Sequence, residues 1–75
     1  MITVDELKAR MSELMTQGQI GKQRMCVEIV AESGYSVGLP TVMKALAGEK
    51  TQPASRAVIW AAVRNVGRNH KVVLA

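Results

Sequence analysis

Few residues in this chain are of the types that do chemistry, and their spacing assembles no reaction. His70 is the sole histidine and Cys26 the sole cysteine. No serine or cysteine has a base suitably placed to make it a nucleophile, and no glycine-rich loop is present to cradle a phosphate. His70 lies near the C-terminus and reads as a surface histidine. Cys26, with apolar neighbours at helical spacing, reads as a core thiol. One cysteine forms no intramolecular disulfide and no cysteine-rich zinc site. Asp5 and Glu6 suit the positive end of a helix. The chain is therefore expected not to be an enzyme, and to use no cofactor, metal or small-molecule substrate.

The basic residues carry more information. Residues 1–33 hold four bases against five acids, for a net charge of −1, whereas residues 34–75 hold six bases against Glu49 alone, for +5. Such asymmetry points to a polyanionic partner for the second half. The alternative is a basic surface that is merely solvated.

Four helices must position these charges. Thr3-Val4-Asp5-Glu6 forms a capping-box pattern. Behind it Val4, Leu7, Met11, Leu14 and Met15 recur on one helical face, with Gly18 expected to end the helix near residue 17. A second helix is expected from Lys22 to Ser33, with Met25, Cys26, Ile29 and Val30 buried and Gly34 as its stop. Two glycines and Pro40 break the next stretch, and Pro40 suits the first turn of a short third helix, Pro40 to Ala47, closed by Gly48. Glu49 to Pro53 reads as a polar loop. The fourth helix is expected from Pro53 or Ala54 to Val66, with Val58, Ile59, Ala62, Val63 and Val66 inward and Gly67 as its stop. The fold class is all-α: one compact four-helix domain over residues 1–75 with a short extended C-terminal tail. Only two of the 75 residues are aromatic, Tyr35 and Trp60, which favours helix-on-helix packing over a β-sandwich.

Two helices joined by a glycine-containing turn, the second of them short, have the layout of a helix-turn-helix. Thr41-Val42-Met43-Lys44-Ala45-Leu46-Ala47-Gly48 resembles the recognition helix of lactose-repressor-type headpieces, which typically reads Thr-Val-Ser-Arg-Val-Leu-Asn-Gly. Val30 to Ser36 echoes that family's first helix and turn, and Ile59 to Gly67 is similar to its following helix. More broadly, the helix order is similar to the lambda-repressor-like superfamily. The chain departs from the headpieces in a turn two residues longer between Ser36 and Thr41, in Arg68-Asn69-His70 where the family has Tyr-x-Pro-Asn, and in its extra first helix. A phage, plasmid or mobile-element regulator fits these departures.

The resemblance implies that Val42, Ala45 and Leu46 are buried while Thr41, Met43, Lys44 and Ala47 face the major groove of double-stranded DNA. Lys44 stands where the family has a basic residue, able to donate to guanine or to a phosphate. Lys50, Thr51, Gln52 and Arg56 are expected to reach the phosphate backbone. A homodimer is expected, because a single small module contacts few base pairs and has a marginal core. Val72-Val73-Leu74 is the preferred contact, pairing as a strand with its symmetry mate; the edge of the first helix, or a tail folded onto its own core, are the alternatives. No apolar run reaches the length of a membrane span, and the N-terminus is unlike a signal peptide, so the expected location is cytoplasmic. The rival function is a protein-interaction adaptor or anti-repressor that keeps the fold without binding DNA. The low polarity of Met43, Ala45 and Ala47 favours it.

Overall fold

The Thr3 hydroxyl accepts from the Glu6 N–H at 3.1 Å while a Glu6 carboxylate oxygen accepts from the Thr3 N–H at 3.0 Å. This reciprocal pair starts the first of four helices in the computed structural model, which describes residues 1–74. The helices are α1 (Val4–Gly18), α2 (Lys22–Glu32), α3 (Leu39–Leu46) and α4 (Pro53–Asn69). Among the described residues there is no strand.

Helix α4 packs against the other three, and α3 sits against both α1 and α2. Each helix contributes one stripe at three- and four-residue spacing to a common core. From α1 come Leu7, Met11 and Leu14, and from α2 Met25, Cys26 and Ile29. Helix α3 adds Val42, Ala45 and Leu46, and α4 adds Ile59, Ala62, Val63 and Val66. These are the inward faces expected from the sequence, except that Met15, Val30 and Val58 are only partly buried against the core and Val4 is half-exposed outside it. A polar link lies outside the core: His70 Nε2 meets Glu28 Oε1 at 2.8 Å, tying the end of α4 to α2. Hydrogen bonds from His70 and Arg24 hold the Glu28 carboxyl below its ordinary range.

Two glycines expected to stop helices do something else. Helix α1 runs through Gly18, and the left-handed residue is Gln19 at φ 52°. A Cβ on Gly18 would stand 2.9 Å from the end of the Ile20 side chain, so the missing side chain lets Ile20 turn into the core. Gly67 lies inside α4, buried, two residues before its end. A Cβ there would stand 2.9 Å from the Val72 carbonyl oxygen, and the Val72 N–H donates to the Gly67 carbonyl at 2.7 Å. Gly67 is thus a crossing point, not a terminator.

That crossing overturns the preferred role of the tail. Val72 is 6% exposed and belongs to the core, and Leu74 packs against it. Only Val73 faces outward. The tail folds back because its alternate apolar residues meet α4 at the one place where α4 has no side chain. A strand pairing through Val72-Val73-Leu74 would have to strip two of them from the core. Ala75, the last residue of the expected tail, lies outside the described residues.

Candidate nucleic-acid interface

Successive residues of an α-helix are rotated by about 100°, which sorts the surface of α3 around its buried Val42, Ala45 and Leu46. Pro40, Lys44 and Ala47, all exposed, form the crest. Thr41 lies on the shoulder toward α4, and Met43 on the shoulder toward α2. Lys44 is therefore the one hydrogen-bonding side chain of the crest, on the side nearer the start of α4.

On the α4 shoulder, Thr41, Lys44, Lys50, Thr51, Gln52 and Ser55 line an open cleft of about 350 Å³. Five of the eight residues expected from the sequence converge there, joined by Ser55, which the sequence reading missed. No carboxylate lines the cleft, and among the described residues none pairs with Lys44 or Lys50. The first turn of α4 forms one wall. Pro53 takes its first position and the N-cap Gln52 makes no side-chain capping bond. The Ala54 and Ser55 N–H groups are left without helical acceptors, at the positive end of the helix. Two lysines, open backbone donors and a helix dipole make this a place suited to an anion.

Two of the expected phosphate contacts are placed differently. Thr51 is 8% exposed; its Oγ1 is buried at the edge of the cleft and has no hydrogen-bond partner among the described residues. Its carbonyl is engaged. The Arg56 guanidinium donates to that Thr51 carbonyl, and its Nε donates to the Ile2 carbonyl at 3.1 Å. Arg56 is half-buried and acts as a clamp between the start of the chain and the loop before α4. Of the remaining expected residues, Met43 and Ala47 are exposed on α3 but outside the cleft.

The α2 shoulder was not anticipated. Met43 lines a second groove with Lys22, Gln23, Cys26 and Leu39. Lys22 and Gln23 open α2, so they join α3 only through the tertiary fold. A sequence signal existed in the basic, polar run Lys22-Gln23-Arg24 at a helix start.

Among the described residues, no helix is long and apolar enough to cross a membrane. Comparison of the chain with protein families, curated proteins and solved structures finds no match to any of them.

Proposed function

We propose that this chain binds double-stranded DNA, with α2 and α3 as a helix-turn-helix and α3 laid along the major groove. The observation that carries the reading is the acid-free cleft beside α3. There Lys44, Lys50 and the uncapped first turn of α4 converge. A backbone phosphate seated in that cleft would fix α3 in register, the usual division between contacts that position and contacts that specify. The resemblance of residues 41–48 to lactose-repressor-type recognition helices points the same way. The biological role that follows is a cytoplasmic, sequence-specific transcriptional regulator of phage, plasmid or mobile-element type. It acts as a homodimer, since one α3 spans too few base pairs to select a site.

The test is a duplex titration by gel shift at several salt concentrations. The logarithm of the binding constant should fall with the logarithm of salt by about 0.9 for each phosphate neutralised. Affinity that is absent at low salt, or indifferent to salt, overturns the reading. Mass in solution, free and on DNA, tests the dimer.

One observation favours a second reading, a protein adaptor or anti-repressor. Val27 and Tyr35 are 51% and 77% exposed, and with Val30 and Leu39 they border a small apolar groove. An adaptor using that surface loses its partner on Val27→Asp, whereas a DNA-binding protein keeps its salt-dependent duplex affinity.

A further inference from the structure

The groove on the other shoulder of α3 has a chemistry unlike the basic cleft. It occupies about 380 Å³ between the first turns of α2 and α3 and is lined by Lys22, Gln23, Cys26, Leu39 and Met43. Cys26 is fully buried and forms its floor, Leu39 is half-buried, and Met43 is 39% exposed on its lip. Lys22 and Gln23 supply the polar rim. The groove is thus an apolar slot with one amide and one cation at its mouth.

We propose that this slot reads A·T pairs: a thymine C5-methyl enters between Leu39 and Met43, and the Gln23 amide meets the N6 and N7 edge of an adenine in the same or the adjoining pair. The inference rests on the duplex-binding reading and assigns it a base preference. In the major groove the thymine methyl is the apolar group that a base edge presents, and adenine offers the acceptor and donor that a glutamine matches with two hydrogen bonds. A cytosine amino group placed against Leu39 and Met43 would instead be desolvated without a partner. The unbranched thioether of Met43 adapts its shape to a methyl group.

The surroundings favour a nucleic acid over a protein segment. The N-terminus of α2 has Gly21 as its cap, makes no side-chain capping bond, and carries in its first turn Lys22, which pairs with no carboxylate among the described residues, and Arg24, which is held by Glu28 at 2.8 Å. A docked amphipathic helix needs a row of anchor pockets at successive turns. Here three side chains form one slot, and the neighbouring groove beyond Leu39 holds only about 120 Å³.

The experiment selects preferred duplexes for the full chain from a random library, then replaces each thymine of the best site with deoxyuridine, which removes only the methyl. The expected result is a loss of about fourfold at the thymines that meet the slot. That loss should vanish in Met43→Ala, an exposed position where truncation leaves the core intact, and Gln23→Ala should relax the adenine preference at the same or adjoining pair. Uracil tolerated at every position, or a penalty that persists in Met43→Ala, overturns the inference while duplex binding stands. No duplex binding at all, with capture of an acidic amphipathic peptide that depends on Met43, overturns both.

Discussion

Helix α1 begins behind Thr3, whose hydroxyl and backbone N–H are both satisfied by exchange with Glu6, and Asp5 and Glu6 sit in its first turn. Helix α4 begins behind Gln52, whose side chain caps nothing, and its first turn, Pro53 to Ser55, contains no acid. Both ends present orphan N–H groups and the positive pole of a dipole. In α1 that pole is neutralised from within the chain. In α4 it is left open and has Lys44 and Lys50 for neighbours, which adds positive charge instead of cancelling it. A helix start that is not self-satisfied leaves donors suited to an anion; α2 and α3, behind Gly21 and Gly38, also start without a side-chain cap, so what sets α4 apart is the pair of lysines beside it. The two ends are also linked, because Arg56 holds the carbonyl just before each N-cap: Ile2 before Thr3, and Thr51 before Gln52.

Making α4 start like α1 breaks the contrast most severely. The double substitution Gln52→Thr with Ser55→Glu installs a Thr-x-x-Glu box ahead of α4. Thermal unfolding should shift upward by the worth of a cap, about 1 kcal/mol. Duplex affinity should fall by about 2–3 kcal/mol, because a carboxylate then occupies the place of the phosphate. A variant that is stabilised and still binds duplex normally would show that the open end of α4 is not part of the interface.

Cutting the tie between the two ends comes next. Arg56→Ala removes two charge-assisted bonds to backbone carbonyls, and partial exposure moderates their worth to about 1–2 kcal/mol of stability. As Arg56 is a clamp, its loss should leave the slope of affinity against salt unchanged, whereas Lys50→Ala should reduce that slope by about one phosphate's worth. Denaturant unfolding and salt titration of both variants check this; a flattened slope in Arg56→Ala would return Arg56 to the phosphate contacts.

Opening α1 is the converse and smaller perturbation. Thr3→Ala should cost about 1 kcal/mol in denaturant unfolding and leave duplex affinity untouched. Acid should act on the same box. The backbone and hydroxyl bonds from Thr3 lower the Glu6 pKa below its ordinary value. Its contribution is therefore complete above the unfolded carboxylate pKa and is lost as pH falls through the lower folded value. Between pH 5 and pH 2 the stability difference between the native chain and Thr3→Ala should shrink, measured by unfolding at each pH.

The contrast also separates what was legible in the sequence from what was not. Thr3-x-x-Glu6 and the stripe Leu7, Met11, Leu14 are local patterns, so α1 was readable from neighbours three and four residues apart. Lys44, Lys50 and Gln52 were readable as an anion surface because they are close in the chain. Arg56 was not: a guanidinium read by charge alone looks like a phosphate contact, and its partner Ile2 is 54 residues away. Gly67 failed for the same reason, since a glycine reads as a helix stop until the Val72 carbonyl is seen to cross it. Gln23 and Met43 form one groove only because α2 and α3 pack together.

Thr51 gives the finest test of the comparison. At the start of α1 every polar atom of the N-cap residue has a partner, whereas just before α4 the Thr51 Oγ1 is buried with none among the described residues. An unsatisfied hydroxyl in that position costs stability, and valine has the same branched shape without it. Thr51→Val keeps the carbonyl that Arg56 grips, so the loop should hold its course. The expected outcome is a gain of a few tenths to about 1 kcal/mol in unfolding free energy. Because Oγ1 is buried, the same variant should keep full duplex affinity and an unaltered salt slope. A gain in stability with full affinity would leave Lys44, Lys50 and the α4 amides as the whole of the anion seat. A loss of stability would mean that Oγ1 is satisfied in solution, and the contrast between the two helix starts would rest on their caps and charges alone.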